Sequence, residues 1–339
     1  MALGGNSNAV GLEIDTGMAR AVESAGSAAR PKLVTMTLGI LPDESVDEGM
    51  IVDPREVGTA LSELWRSGGL KSRRVLLGIS NQGVLVRYAT IPKVPPDKLK
   101  NVIKFHAQEH LPIPLDSVVM DYQVIGETKS DDDKTLLEIL LVAARRDMLK
   151  GFLEALELAK LEPADIDVST LSLLRTLPPT AMERTVAVVN VANGLSNILV
   201  ADRGRPRLAR LVSVKLKDLA DGAGVSLVDV LEIGNGSSGN ARKAYDSWTS
   251  SLIGEIRSSL NYYQNQDNAS PLEAIILNGR GGRLQGIDKQ LENALGLPVR
   301  LVNPFAAFSN ADRIMKESGV SAVEYAIGAG LARRGLEGS

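Results

Sequence analysis

The sequence has no cysteine, and this one absence excludes a disulfide framework, a cysteine-ligated zinc site and a thiol nucleophile. Histidine is nearly missing as well. With only His106 and His110 present, any Ser-His-Asp triad would have to use one of them. No stretch approaches the ~18 consecutive apolar residues that a membrane-spanning helix requires. A charge excess is also lacking: 38 Lys and Arg face 41 Asp and Glu, for a net charge of −3. A global basic field that would draw the chain to nucleic acid is therefore absent, and no nucleic-acid partner is expected. The opening MALGGNSNAV has neither the basic flank nor the apolar core of a secretory signal, so the expected location is the cytosol.

At 339 residues the chain fits two domains of ~150 residues each. Apolar residues make up 44 % and charged residues 23 %, the proportions of a folded soluble protein. Residues 9–14 read as a strand that runs into the polar turn Asp15-Thr16-Gly17, and residues 18–22 and 32–37 read as two further strands. Val57, Leu61 and Trp65 stand at helical spacing within 55–66, and strands follow at 75–80 and 84–88. Pro92, Pro95 and Pro96 mark a boundary. Beyond it comes an α-β-β-α rhythm: a helix ending at Leu111, strands at 118–125 and 136–143 around the acidic tip Asp131 to Asp133, and a helix at 147–161. After Pro178-Pro179 the pattern restarts, with strands at 186–191, 197–201 and 208–214, a helix at 247–266 and a strand at 274–277.

The restart is the informative feature. Each half opens with a hydrophobic strand, a short polar Gly turn and two more strands, which points to duplication with a cleft between the copies. Two such turns facing one another would present backbone N–H groups to an anion.

Three segments then resemble motifs of the actin, Hsp70 and sugar-kinase superfamily. GLEIDTGMARA at 11–21 resembles its first phosphate loop, NVANGLSNI at 190–198 its second, and LNGRGGRLQGI at 277–287 its adenosine motif. Three more segments, HLPIPLDSVVMDYQVIG at 110–126, EIRSSLNYYQNQ at 255–266 and YAIGAGLARRG at 325–335, are similar to the PilM family of type IV pilus assembly proteins, relatives of the cell-division protein FtsA. The resemblance implies a duplicated actin-like (ribonuclease H-like) two-lobed α/β fold with a small α+β subdomain inserted in the first lobe. The expected boundaries are a first lobe at 1–180, with the insert at about 91–168 and the C-terminal 318–339 returning to it, and a second lobe at 181–317.

The same resemblance implies a nucleotide cleft holding ATP with Mg. Its nucleotide contacts would be Asp15, Thr16, Gly17, Met18, Arg20, Asn193, Gly194, Leu195, Glu255, Gly279, Arg280 and Gly281, with Glu13 holding the metal through water. The match is incomplete. Glu13 stands where the family has a metal-holding aspartate, Asp15 where it has glycine, Asn190 where it has a second aspartate, Ala192 and Arg280 where it has glycines. A carboxylate at Asp15 ~4 Å from a phosphate oxygen would repel it by roughly 4 kcal/mol at an effective dielectric of 20. Asn190 also removes a formal charge from the metal's surroundings. Hydrolysis is not expected, and the sequence leaves nucleotide binding open.

The resemblance further implies an adaptor at the cytoplasmic face of the inner membrane. It would grip the short cytoplasmic tail of a PilN-like bitopic membrane protein at a strand edge or apolar groove. The expected contact segment is 91–114, with Ile91 at its start and Pro114 at its end. A Mg-ATP-hydrolysing, filament-forming protein of the same fold is the alternative. A second alternative comes from HAQEH at 106–110, which matches the H-x-x-E-H pattern of inverted zinc peptidases. Its two histidines lie on the helix face carrying Leu99, Val102 and Ile103, which argues for a structural helix.

Overall fold

The first strand, β1 (Ala9–Asp15), is buried at every position, the signature of a strand covered on both faces. It pairs antiparallel with β2 (Met18–Ser27), which pairs antiparallel with β3 (Arg30–Ile40). On its other side β1 lies parallel to β6 (Arg74–Ile79), and β6 lies parallel to β10 (Glu162–Val168). Between β3 and β6 come a two-residue hairpin, β4 (Val46–Asp47) with β5 (Met50–Ile51), and α1 (Pro54–Ser67). Helix α1 starts where it does because the Asp53 carboxylate accepts from the N–H groups of Arg55 and Glu56 and Pro54 opens the first turn. It buries Val57, Leu61, Leu64 and Trp65. The computed structural model describes residues 8–130, 132–267, 269–318 and 320–337.

Past the single-turn helices α4 (Ser169–Ser172) and α5 (Pro179–Met182), the second lobe repeats this sheet strand for strand. β11 (Thr185–Asn190) pairs antiparallel with β12 (Ser196–Asp202), and β12 with β13 (Arg205–Val212). On the other side β11 lies parallel to β14 (Ala274–Asn278), and β14 to β15 (Val299–Leu301). The orders β3-β2-β1-β6-β10 and β13-β12-β11-β14-β15 are the same topology twice. The duplication inferred from two Gly turns is thus written in the hydrogen-bond ladders. Helix α6 (Leu216–Ala223) and the 26-residue α7 (Gly239–Gln264) cover one face of this sheet. Helix α7 does so through Tyr245, Trp248, Leu252, Ile256, Leu260 and Tyr263, three or four residues apart. Helix α8 (Ile287–Leu295) adds Ile287 and Leu291 to the same core.

The chain then returns to the first lobe. After α9 (Ala311–Ser318), helix α10 (Ala326–Arg334) is buried from Ala326 to Ala332 and packs on β1, β2 and β6. Small residues make this possible. A Cβ added at Gly11 would stand 2.2 Å from the Gly328 carbonyl oxygen, so helix and strand touch backbone to backbone.

Residues Gln82–Phe152 form a compact unit of their own. In it β7 (Val84–Pro92) and β8 (Val118–Lys129) flank the central β9 (Thr135–Arg145), all antiparallel. Alternate residues of β9, Leu137, Ile139, Leu141 and Ala143, share a core with Ile103 and Ala107 of α2 (Pro96–His110). The unit begins and ends earlier than the insert expected at about 91–168. Strand β7 pairs with β9, so Pro92 and Pro95 close a strand that already belongs to this unit, and residues 162–168 form β10 in the first lobe's sheet. Helix α3 (Arg146–Leu158) runs across the division, which falls after Phe152.

Candidate functional site

Three turns meet where the two lobes face each other. The β1–β2 turn is Thr16-Gly17, closed by the Asp15–Met18 pair. The β11–β12 loop spans 191–195 and carries Asn193, Gly194 and Leu195, all buried. After β14, Gly279 takes φ 79°, a backbone conformation suited to glycine. It leads into a single 3-10 turn, Arg280–Arg283.

At the meeting point the Asp15 carboxylate is fully engaged with backbone N–H groups. Its Oδ1 accepts from Thr16 N at 2.8 Å and from Gly194 N at 2.9 Å, and its Oδ2 accepts from Asn193 N at 2.9 Å. Converging backbone N–H groups of this kind make an anion-binding concavity. Here the anion is a side chain of the opposite lobe. Asn193 returns the contact, its Nδ2 donating to the Thr16 carbonyl oxygen at 3.0 Å. No space separates the loops: a Cβ at Gly194 would lie 2.7 Å from Thr16 Oγ1 and 3.1 Å from Asp15 Oδ1.

Behind this contact lies a buried charge cluster. Arg20 is 2 % exposed. Its Nη1 is 3.6 Å from Asp15 Oδ2 and 3.8 Å from Glu13 Oε2, and its Nη2 is 3.7 Å from Glu324 Oε2. Glu324 also pairs with Arg283. Burial alone would lower the Arg20 pKa, and the carboxylates of Glu13, Asp15 and Glu324 together reverse this, so the guanidinium stays charged. Glu13 is the weak member. Desolvation pushes its pKa up to about 7, against the partial relief that Arg20 gives, and Asp15 and Glu324 add to the rise. Its Oε2 has no hydrogen-bond partner. Beside them burial pushes the Tyr325 hydroxyl up to about 12.

Arg280 closes the front. Its Nη1 donates to the Leu227 carbonyl oxygen at 2.7 Å and to Asn193 Oδ1 at 3.3 Å, and its Nη2 donates to the Val228 carbonyl oxygen at 2.7 Å. The loop so held places the Leu227 side chain 3.1 Å from where a Cβ would stand on Gly17. Second-lobe groups therefore rest on the first-lobe turn from two directions. A further ion pair, Lys215 to Glu48 at 2.6 Å, joins the lobes nearby.

Most of the residues expected to hold nucleotide are thus brought together: Asp15, Thr16, Gly17 and Arg20 from the first lobe, Asn193, Gly194 and Arg280 from the second. Met18 is buried in β2 with its sulfur 3.8 Å from Arg20 Nη2, Leu195 is buried in its loop, and Gly281 packs against Val191. Glu255 stands apart on α7, where its Oε2 accepts from Arg210 Nη2 at 3.3 Å. Sequence reasoning missed Glu324, Arg283 and Leu227. Glu324 did leave a trace as the one acid ahead of the apolar run AIGAGLA.

The arrangement does not fit a Mg-nucleotide. The N–H groups that would receive a phosphate already bind Asp15, and the cation that would face it already balances three carboxylates. Glu13, desolvated and paired with Arg20, is a poor outer ligand for Mg2+. Among the described residues no cluster of three or more His, Cys, Asp or Glu is placed to hold a metal. The H-x-x-E-H motif lies on α2. His106 Nδ1 is 3.2 Å from Glu109 Oε2 on the surface of α2, Ile103 and Ala107 take the buried face, and the side chain of His110 lies outside those described.

Two copies of one mixed sheet, with their first hairpins facing across the lobes, are the arrangement of actin-like proteins. The fold is shared with the ethanolamine utilization protein EutJ from Carboxydothermus hydrogenoformans (13 % identity, 97 % of this chain and 90 % of that one, TM-score 0.55). It is also shared with MreB5 of Spiroplasma citri, solved bound to ADP (10 % identity, 98 % and 99 %, TM-score 0.51). The likeness is much stronger to a structure described as the PilM-PilN type IV pilus biogenesis complex, at 26 % identity over 98 % of this chain and 100 % of that one, with a TM-score of 0.84. Residues 11–209 and 241–336 match the family described as type IV pilus assembly protein PilM, and the chain belongs to that family.

Proposed function

We propose that the chain is an adaptor of a type IV pilus machine that binds the short cytoplasmic tail of a PilN-like bitopic membrane protein. The observation that carries this is its end-to-end likeness to the chain in the PilM-PilN complex. Among the described residues no helix is long and apolar enough to cross a membrane, and attachment to the inner membrane through the partner accounts for how such a chain reaches its machine. The work is recognition, with no turnover, since the geometry between the lobes offers no seat for a metal-bound phosphate.

The Gln82–Phe152 unit supplies features suited to an extended peptide. Strands β7 and β8 are the edges of its sheet, and an edge strand gives a tail main-chain hydrogen bonds while pockets beside it read alternate side chains. The segment 91–114 supplies apolar surface next to β7, with Phe105 65 % exposed on α2. The test is co-purification of the full chain with the cytoplasmic tail of a PilN-like protein from the same organism, followed by titration calorimetry with the synthetic tail. Saturable one-to-one binding, weakened at least about tenfold by Phe105→Ala as expected for loss of an aromatic anchor, supports the proposal. No binding by the wild-type chain refutes it.

A further inference from the structure

We propose that Asp15 is a covalently built-in substitute for a bound phosphate: its carboxylate fills the anion seat between the lobes and holds them closed, so that the chain needs no nucleotide to adopt its closed arrangement. The geometry is that of a ligand. Both carboxylate oxygens are used, by three backbone N–H groups at 2.8 to 2.9 Å, two of which belong to the opposite lobe. The Arg20 guanidinium stands on the far side at 3.6 Å. The residue is 7 % exposed, so these are desolvated, charge-assisted bonds.

Sequence supports the substitution directly. Asp15 accepts from the N–H of the adjacent Thr16, and its remaining capacity crosses to Asn193 and Gly194. Glycine at 194 lets the two turns approach closely, since a Cβ there would stand 2.7 Å from Thr16 Oγ1 and 3.1 Å from Asp15 Oδ1. Arg280 completes the closure by fastening the Leu227–Val228 backbone over the first turn. Four independent contacts, Asp15 to the second loop, Asn193 Nδ2 to Thr16, Leu227 against Gly17 and Lys215 to Glu48, join the same two lobes.

The experiment uses the full chain and three probes, Mg-ATP, Mg-ADP and inorganic pyrophosphate, each titrated to millimolar concentration by calorimetry and by thermal melting. Wild type is expected to give no saturable heat and no rise in melting temperature. Asp15→Gly, which vacates the seat, is expected to melt several degrees lower and to gain a saturable rise with pyrophosphate that wild type lacks. Saturable binding of any probe to wild type overturns the proposal. So does an Asp15→Gly protein that melts like wild type, or one that folds and takes up no pyrophosphate. Should that variant fail to fold, Asp15→Asn replaces one accepting oxygen by an amide of the same shape. Its melting temperature is expected to fall by several degrees, and an unchanged value overturns the proposal. None of these outcomes depends on partner-tail binding.

Discussion

Arg20 Nη2 lies 3.7 Å from Glu324 Oε2, tying the first hairpin of the chain to the turn that starts its last helix. The contact matters because both groups are buried, and a buried charge without its partner is far costlier than a surface one. Replacing Arg20 by Met leaves Glu13, Asp15 and Glu324 facing one another with no cation among them. A loss of about 3–5 kcal/mol is expected in urea unfolding, the usual range for breaking a buried pair. Adding Glu13→Gln to that variant removes one of the opposed carboxylates and should restore part of the loss, a non-additivity that a double-mutant cycle would read.

Glu13 gives the molecule a pH dependence of unusual sign. Its folded pKa is raised to about 7 from the ordinary 4.5, chiefly by desolvation. Between those values the folded chain holds a proton that the unfolded chain has released, so stability falls as pH rises through that window. Below it the penalty is absent, and above it the penalty is complete. The groups facing Glu13 are Arg20, Asp15 and Glu324, of which Arg20 stays charged throughout. The shift corresponds to roughly 3 kcal/mol at 1.36 kcal/mol per pKa unit. Urea midpoints measured from pH 5 to pH 8 should decline by a corresponding amount in wild type and show a flatter course in Glu13→Gln.

Two glycine replacements should move stability in opposite directions. Gly11→Ala puts a methyl group 2.2 Å from the Gly328 carbonyl oxygen and 2.6 Å from Ala332 N. Helix α10 would have to lift off its sheet, at an expected cost of about 3 kcal/mol or more for an overpacked, backbone-to-backbone contact. Gly254 lies exposed within α7 with nothing within 4 Å of a new Cβ. Gly254→Ala should stabilise by about 0.5–1 kcal/mol, the helix-propensity difference. Thermal melting of both variants checks the pair, and a destabilised Gly254→Ala would contradict the open surroundings of that site.

His106 of α2 should be inert. His106 meets Glu109 at the helix surface, a half-exposed pair for which a contribution of at most about 0.5 kcal/mol is expected. His106→Ala is predicted to leave melting behaviour nearly unchanged, and metal analysis of the purified wild-type chain should find no stoichiometric zinc.

The sequence exposed the first three strands of each lobe because β1, β2, β11 and β12 are buried hydrophobic runs punctuated by Gly turns. It concealed much of the rest for physical reasons. Helices α6, α8 and α10 are short, and α10 is built of Ala and Gly that show no amphipathic period because the helix is buried all round. Helix α7 begins at Gly239, eight residues before the expected start at Ser247, since its first two turns are polar. At the site, the departures Asp15 and Arg280 were visible as departures. Their positive roles were not, because these depend on which groups the other lobe delivers. Asp15 looked like a charge that repels a phosphate, and the fold shows it seated among N–H donors of the opposite lobe. Arg280 looked like a lost glycine and instead braces a loop fifty residues upstream in sequence.

A carboxylate carried on one of the chain's own side chains has an effective concentration set by the fold alone. Dialysis cannot remove it, a competing metabolite cannot dilute it, and a starving cell cannot exhaust it. Closure around residue 15, as we propose it, would leave the chain indifferent to adenylate levels.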